Sequence, residues 1–444
     1  MTAWTMVHLI VALTSTPRVF SPVSLEQQRK VISRVFERYG DTLQRTLLPP
    51  LAAMKVRCDD DRRLAGLLPR FAAQEERIVT AWKSNTRALR DLIRPFNPVV
   101  ALASEAEECG AADVGRRNPD FRERRDARWS STCDGYSRGE SIISHLIRDW
   151  SDECDAVRTS TYAPVVVALR RYLPAAAATV LVPGAGLARL PYDIASTGEH
   201  VIVEAIECSL TMVAAARSVL EYVQASGSPP PFVVYPNAAR MLNQREASDR
   251  AWSIAISPGE GAGEGAGDIA ARRRSVERIS LVHAGFIEAA RARIARGDAG
   301  VDAVVTSFFI DVCDDVVACI DAIASVLKPG GVWLNSGPLK YHFVEEEEDE
   351  DAAAAAALDE ERDDRERFKN GTKRPFNPEF WNNRSKASSL AQRPLLSLDE
   401  LVAVADALGF EVELRGARSV RYGCERTMQP SIYTGIPLMI ATKR

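Results

Sequence analysis

The sequence has few cysteines and histidines, and neither type is spaced like the ligands of a metal ion. Its 444 residues contain eight cysteines with no C-x-x-C pair and five histidines with no pair at i, i+4. We therefore expect no metal and no disulfide framework. The apolar stretch from Ala3 to Leu13 is too short for the roughly 20 residues that span a bilayer, and no basic segment precedes it as in a signal peptide. This predicts no membrane partner and a cytoplasmic location, with the nucleus as a second compartment.

The sequence also lacks a strong excess of either charge. Lys and Arg total 56 against 60 Asp and Glu, a formal net charge of -4, so no overall basic field would attract nucleic acid. Hydrophobic residues make up 46% and charged residues 26%, as in ordinary globular proteins. The length suggests two domains, or one large domain with additions. We expect a folded protein with a small-molecule partner and no nucleic-acid partner.

The first part of the chain is helical in pattern. Residues 25–108 carry apolar side chains at helical spacing, with a kink or restart at Pro69 and an end before Pro95. Residues 109–140 are rich in Arg, Asp and Asn, which predicts a linker; a basic nucleic-acid patch is the weaker alternative because acids are interleaved. Residues 1–24 are left unassigned.

The pattern changes to alternating strands and helices over residues 141–444. Strands that alternate with helices along the chain predict an α/β fold with a parallel sheet. Two low-complexity stretches, near 256–270 and 345–375, read as insertions in this unit, and the second could overhang a site. Apolar runs of strand length predict five strands, at Ala178–Val182, His200–Ile206, Arg278–Val282, Asp302–Phe309 and Gly331–Asn335.

A glycine-rich turn follows the first of these strands. Gly184 and Gly186 would let a ligand approach the backbone, but Arg189 replaces the third glycine of the dinucleotide fingerprint, so a pyrophosphate is not implied. Glu207 lies 23 residues after Gly184, near the spacing of about 20 expected for a carboxylate that binds a ribose. Glu204, at 20 residues, is the rival, and both could simply be solvated.

Two further polar residues follow the fourth and fifth strands, Asp311 and His342. Open α/β sheets bind ligands at the carboxyl ends of their strands, so we expect both residues at one edge. The alternatives are that Asp311 only caps the next helix and that His342 is a core histidine.

Five segments carry recognisable motifs. They are HLIRDWSDE (145–153), TYAPVVVALRRYLP (161–174), VPGAGLARL (182–190), VVTSFFID (304–311) and LKPGGVWLNSGPLKYHF (327–343). LKPGG is common in methyltransferases, whereas NxGPLxYHF with FFID and IRDWS is more specific. Together they resemble the carnosine N-methyltransferase family of S-adenosylmethionine-dependent class I methyltransferases, in order from about Gln27 to the C-terminus, apart from the two low-complexity stretches.

The resemblance implies a Rossmann-like class I methyltransferase sheet with an N-terminal helical region. It also implies S-adenosyl-L-methionine as cofactor and, as an option, a homodimer.

Two positions of the implied cofactor site depart from the family pattern. His145 stands where glutamine is expected and can still donate one hydrogen bond. Gly285 stands where an aspartate is expected to bind the adenine amino group, with Glu288 or His283 as candidate substitutes. We expect weakened cofactor binding with Phe286 still able to stack. The cofactor-binding residues so implied are His145, Arg148, Gly184, Gly186, Glu207, Gly285, Phe286 and Ser307.

On the substrate side, the resemblance implies that Asp311, His342 and Tyr433 bind a dipeptide, with Asp311 as the catalytic residue. The expected reaction is methylation of the imidazole of carnosine, giving anserine, or of a related histidine-containing dipeptide. A histidine in another peptide or protein is the first alternative, and a degenerate methyltransferase fold acting as a binding or scaffold protein is the second. An NAD-dependent oxidoreductase is disfavoured by the missing third glycine and by LKPGG.

Overall fold

A computed structural model of the chain describes residues 17–97, 136–225, 229–238, 246–259, 267–298, 300–313, 315–341, 395–423 and 431–444. The strands are β1 (Arg18–Phe20), β2 (Ala178–Pro183), β3 (Val201–Glu207), β4 (Phe232–Val234), β5 (Ile254–Ile256), β6 (Ile279–His283), β7 (Val301–Ser307), β8 (Leu327–Ser336), β9 (Phe410–Tyr422) and β10 (Ser431–Lys443). The helices are α1 (Leu25–Thr42), α2 (Leu48–Asp60), α3 (Leu68–Leu92), α4 (Tyr136–Trp150), α5 (Asp155–Leu169), α6 (Arg189–Ala195), α7 (Leu210–Gln224), α8 (Gly267–Glu277), α9 (Phe286–Ala295), α10 (Val316–Val326) and α11 (Leu398–Ala407).

One mixed sheet organises the described residues. Its eight strands run in the order β1-β6-β3-β2-β7-β8-β10-β9, and the neighbouring pairs from β1 to β8 are parallel. Strand β10 pairs antiparallel with both β8 and β9. The order reverses between β2 and β7, which is the switch point where such sheets bind ligands. The predicted Rossmann-like α/β fold is confirmed.

The five predicted strands are present as β2, β3, β6, β7 and β8. Most of their residues are buried, since helices cover both faces of the parallel part of the sheet. Strand β8 begins at Leu327, four residues before its predicted start. Gly330, with φ +75°, accommodates the Lys-Pro-Gly-Gly turn inside the strand, where the register with β7 shifts.

The N-terminal helices pack on this sheet. A capping box between Ser24 and Gln27 starts α1, and α3 starts with Pro69 in its first turn, where the missing N–H costs nothing. Tyr39 of α1 and Trp82 of α3 stack with ring centroids 3.9 Å apart. Apolar residues of these helices belong to the same hydrophobic cluster as those of β2 and β3, so helices and sheet share a core.

The segment left unassigned by its pattern contains a strand. Arg18–Phe20 pairs in parallel with Ser280–Val282 of β6 and extends the sheet at that edge. Three residues are too few to show a period. The predicted linker lies outside the described residues up to residue 135, and the insertion near 345–375 lies wholly outside them. Of the insertion near 256–270, residues 260–266 lie outside.

Among the described residues, no helix is long and apolar enough to cross a membrane. No group of three or more His, Cys, Asp and Glu side chains there is arranged to hold a metal ion.

Candidate methyltransferase site

The turn after β2 requires its two glycines. Gly184 and Gly186 have φ values of +65° and +53°, a region that side chains disfavour. A Cβ on Gly184 would lie 2.6 Å from Cδ2 of Phe309, and one on Gly186 would lie 3.5 Å from Cδ2 of His145. The backbone of the turn is therefore closely approached by Phe309 and by α4. Within the turn, the N–H of Ala185 donates to the carbonyl of Ile206 at 3.1 Å, and the turn leads directly into α6. A helix start of this kind suits polar ligand atoms.

Glu207 is held against this turn. Its carboxylate accepts N–H hydrogen bonds from Gly186 at 3.0 Å and from Ser209, the N-cap of α7, at 2.9 Å. Burial raises the pKa of Glu207, and these hydrogen bonds oppose that rise. Each carboxylate oxygen can accept more than one hydrogen bond, so ribose hydroxyls can still be bound here.

Glu204 is engaged elsewhere. Its carboxylate accepts a hydrogen bond from Arg293 of α9 at 2.8 Å, and each of the two side chains is only 9% exposed. Burial raises the pKa of Glu204, opposed by the Arg293 charge. Of the two rivals, only Glu207 contacts the glycine turn, which favours it as the ribose ligand.

His145 faces the turn as a neutral ring with its proton on Nδ1. Its Nδ1–H donates to the carbonyl of Ser141 at 2.8 Å, because a carbonyl can only accept. Burial and the Arg148 charge lower its pKa to about 4, so the ring is neutral at pH 7. Nε2 is then a hydrogen-bond acceptor. The one hydrogen bond that His145 can donate thus goes to Ser141, and Nε2 is the atom left to meet the cofactor.

Arg148 is fixed by a buried ion pair. Its guanidinium donates to both carboxylate oxygens of Asp149, at 2.7 and 2.9 Å, and through Nη1 to the hydroxyl of Tyr422 at 2.9 Å. Tyr162 donates to the same Asp149 carboxylate at 2.9 Å. Nη2 of Arg148 lies 3.9 Å from a Cβ built on Gly186. The pair thus connects the glycine turn to β9. Sequence reasoning assigned no functional role to Asp149, Tyr162 or Tyr422. The available signal was the RDW tripeptide, which places Asp149 next to Arg148.

The end of β6 shows how the chain accommodates Gly285. This residue is the N-cap of α9, and a Cβ on it would overlap the carboxylate of Glu288, the third residue of that helix. The Glu288 carboxylate thus lies where a side chain at position 285 would begin. Because β6 neighbours β3 in the sheet, this carboxylate lies at the strand end next to Glu207. Phe286 is buried and meets Phe309 edge-on at 6.1 Å.

His283, the other candidate substitute, has both ring nitrogens engaged. Nε2–H donates to the carbonyl of Cys208 at 3.2 Å, and Nδ1 accepts from the hydroxyl of Ser21 at 2.9 Å. Burial lowers the pKa of His283, consistent with a neutral ring. Glu288 is therefore the better placed substitute for the expected aspartate.

Replacing Glu288 with alanine should weaken the binding of S-adenosylhomocysteine about tenfold, the effect of one lost hydrogen bond to a charged acceptor. The comparison is made by calorimetric titration without a methyl acceptor. Glu277→Ala, which removes an exposed partner of Arg273, is the matched control and should leave the affinity unchanged. Equal affinities for wild type and Glu288→Ala would show that this carboxylate does not contact the cofactor.

Ser307, the last residue of β7, carries a buried hydroxyl. Its Oγ has no hydrogen-bond partner among the described residues. A buried hydroxyl without a partner is costly, so its environment favours an external polar ligand. The hydroxyl, the glycine turn without side chains at positions 184 and 186, and Glu207 together fit a polar cofactor such as S-adenosylmethionine at the carboxyl edge of the sheet.

Asp311 is buried directly after β7. It is 1% exposed, lies in the 3₁₀ turn Ile310–Val312 and accepts the backbone N–H of Lys340 at 3.3 Å. The N-cap of α10 is Asp315, whose side chain accepts the N–H of Ala318 at 2.9 Å. Asp311 is therefore not the cap of that helix. Phe308 and Tyr341 beside it have φ values of +53° and +51°, so the backbone leaving both strands is strained here.

The β9–β10 hairpin carries Tyr433 to the same edge. The ring of Phe308 lies 6.1 Å from that of Tyr433 and 5.0 Å from that of Tyr422. These rings form an aromatic wall beside the turn that holds Asp311. His342, predicted to join them, lies outside the described residues.

The sheet order, the glycine turn and the acidic residue at the end of β3 define a class I S-adenosylmethionine-dependent methyltransferase. More specifically, the chain belongs to the carnosine N-methyltransferase family, whose model matches residues 128–435. The chain is 28% identical over 310 residues to the carnosine N-methyltransferase of Schizosaccharomyces pombe, covering 68% of this chain and 69% of that protein. The mouse carnosine N-methyltransferase is 29% identical over 217 residues, 46% of this chain and 48% of its own length. The match to the mouse protein thus spans about half of it.

Solved methyltransferase structures are similar at low identity. Phosphoethanolamine N-methyltransferase 2 of Haemonchus contortus, in complex with S-adenosyl-L-methionine, has 14% identity and a TM-score of 0.29, covering 63% of this chain and 43% of that one. An O-methyltransferase family protein of Burkholderia thailandensis has 13% identity and a TM-score of 0.32, covering 72% of this chain and 62% of that one.

Proposed function

We propose that this methyltransferase transfers a methyl group to an imidazole nitrogen of carnosine, or of a related histidine-containing dipeptide. The family supports the substrate class, and the buried carboxylate of Asp311 is the observation that carries the chemistry. It lies after β7, beside the switch point and next to the aromatic wall of Phe308 and Tyr433. A cytoplasmic location and a homodimer stay predictions.

Methylation of the imidazole requires a hydrogen-bond acceptor for the ring N–H. Neutral imidazole has one N–H and one nitrogen with a lone pair, and only the second can attack a methyl group. If Asp311 accepts the N–H, the tautomer is set and the other nitrogen is directed away from the carboxylate. The Asp311 charge also stabilises the imidazolium that forms and can take its N–H proton, leaving a neutral methylated ring.

The other residues position the reactants. Bound S-adenosylmethionine supplies an activated methyl group on a sulfonium, so no metal is needed for the transfer. The groups that would hold it are Glu207, Ser307, Arg148 and the turn at Gly184 and Gly186. Glu288 would bind the amino group of its adenine. Tyr433 and Phe308 would shield the acceptor ring from water and orient it, which is a large part of catalysis in such a transfer.

The test is a methyl-transfer assay with purified protein, S-adenosylmethionine and carnosine, with the product identified by mass spectrometry and chromatography against anserine. We expect anserine, formed with turnover that saturates in carnosine. Anserine added as acceptor is the control, because its ring nitrogen is already methylated and it should not react. Methylation of histidine in longer peptides in preference to carnosine would replace the dipeptide with a peptide or protein substrate.

Calorimetric titration with S-adenosylhomocysteine, followed by carnosine in the same cell, separates an enzyme from a scaffold. Binding of both ligands, with carnosine bound only after the cofactor product, supports the proposal. Absence of binding for both would favour a degenerate fold without catalysis.

A further inference from the structure

Arg418 of β9 is a partly buried cation that has no acidic partner among the described residues. Its Nη2 donates to the hydroxyl of Ser336 at 2.9 Å and its Nη1 to the carbonyl of Ser160 at 3.4 Å. Its buried Nε has no hydrogen-bond partner among the described residues. Burial lowers the pKa of Arg418, with no neighbouring carboxylate to oppose the effect. Arg148 and Arg293, by contrast, are paired with Asp149 and Glu204.

This guanidinium lies at the edge of the sheet where the substrate is expected. The pairing of β10 with β8 ends at Met439 opposite Asn335, whereas the β9–β10 hairpin continues and pairs Arg418 with Ile436. The hairpin therefore projects past the carboxyl end of β8. Tyr433 lies on the same projection, opposite Val420.

Ser336 connects Arg418 to the residues around Asp311. It is 1% exposed, it ends β8, and it pairs with Ser307, the last residue of β7. Its carbonyl accepts the N–H of Phe308 at 3.1 Å. The Arg418 guanidinium thus contacts the strand end that also supports Ser307 and Phe308, a few residues before Asp311.

A partly buried guanidinium with two neutral acceptors retains unsatisfied charge. Removing a cation from water is costly unless an anion compensates it. Guanidinium and carboxylate are complementary because several N–H groups can donate to both carboxylate oxygens. Carnosine and related histidine-containing dipeptides carry such a carboxylate at the end of the molecule away from the β-alanyl amine.

We propose that Arg418 binds the carboxylate of the methyl acceptor and so selects imidazole compounds that carry one. The proposal rests on the function proposed above and assigns one end of the dipeptide. Asp311 then holds the imidazole of the histidine moiety, and Arg418 holds the carboxylate of the same moiety. Arg418 is a specificity residue and takes no part in the methyl transfer.

The test compares carnosine with its decarboxylated analogue β-alanylhistamine, which keeps the imidazole and the amine. Steady-state kcat and KM are measured for the wild type, Arg418→Gln, Arg418→Lys and Arg415→Gln. Arg415 lies on the same strand with its guanidinium paired to Glu413 and Tyr172, so its variant is the matched control.

The wild type should prefer carnosine by about tenfold or more in kcat/KM, the effect of one charge-assisted pair. Arg418→Gln should abolish this preference by raising the KM for carnosine while leaving the kinetics with β-alanylhistamine unchanged. Arg418→Lys should retain part of the preference, and Arg415→Gln should retain all of it.

Any of four results would overturn the proposal. An unchanged preference in Arg418→Gln, or an equal loss with both acceptors, would show that Arg418 only supports the hairpin. A wild type that methylates both compounds equally well would show that the carboxylate is not recognised. Failure of the wild type to act on either compound would refute the proposed dipeptide function, and with it this role of Arg418.

Discussion

Replacing Asp311 with alanine is expected to lower kcat for carnosine on the order of a hundredfold or more, with little change in the affinity for S-adenosylhomocysteine. The carboxylate is 1% exposed and lies in a turn bounded by the strained backbone of Phe308. Removing it leaves the imidazole without an acceptor for its N–H and the forming imidazolium without a counter-charge. Both losses affect the transfer step more than cofactor binding.

Asp311→Asn refines this expectation. Its amide oxygen can still accept the imidazole N–H, but the compensating charge is gone, so kcat should fall between the values for wild type and Asp311→Ala. Asp315→Ala is the control, because Asp315 only caps α10. It should cost about 1 kcal/mol of stability and leave kcat unchanged. Wild-type turnover in Asp311→Ala would remove this residue from the mechanism.

Replacing Asp149 with alanine should have the largest effect on folding. Asp149 is 1% exposed and accepts hydrogen bonds from Arg148 and Tyr162. Its loss leaves the Arg148 guanidinium without its counter-ion in a site that is nearly closed to water. Removing one partner of a buried ion pair costs about 3–5 kcal/mol of unfolding free energy.

Urea unfolding followed by circular dichroism measures this difference. The control is Asp155→Ala, because Asp155 pairs with Arg158 but its side chain is 75% exposed. Such a pair contributes about 1 kcal/mol or less. Equal midpoints for Asp149→Ala and wild type would show that Arg148 is compensated by other groups.

The ion pair between Arg148 and Asp149 predicts that the free energy of unfolding depends on pH. Burial alone would raise the pKa of Asp149, but the charge and hydrogen bonds of Arg148 hold the pKa below its ordinary value of 3.8. A carboxyl with a lowered folded-state pKa stabilises the fold above its unfolded pKa, and this stabilisation is lost as the pH falls through the folded pKa. The difference in unfolding free energy between wild type and Asp149→Ala should therefore be constant near neutral pH and shrink below about pH 4.

Much of the sheet is predictable from the sequence because its central strands are buried on both faces. Continuous apolar runs marked β2, β3 and β7 to within one or two residues. Strands β9 and β10 were missed. Most residues of β9 are exposed or half-buried, and five of its 13 residues are charged, so it shows no continuous apolar run. Strand β1 was missed because three residues show no period.

The sequence predicted which residues form the site better than it predicted which of them contact each other. The glycine turn, Glu207 and Asp311 follow strand ends, which are positions that a sequence shows directly. Glu207 was preferred, with Glu204 as its rival, and the contact between Glu204 and Arg293, 89 residues apart in the chain, favours that choice. A pairing over that separation has no local sequence signal.

The α/β class, the strand ends that carry polar residues and the resemblance to the family follow from the sequence alone, because periodicity and motifs are local properties. The three-dimensional packing was needed to show that His145 presents an acceptor and that Glu288 fills the space above Gly285. It was also needed to show that Arg418 reaches Ser336 and has no acidic partner among the described residues. Each of these depends on which donors, acceptors and charges meet in space. Such meetings are set by packing between distant segments.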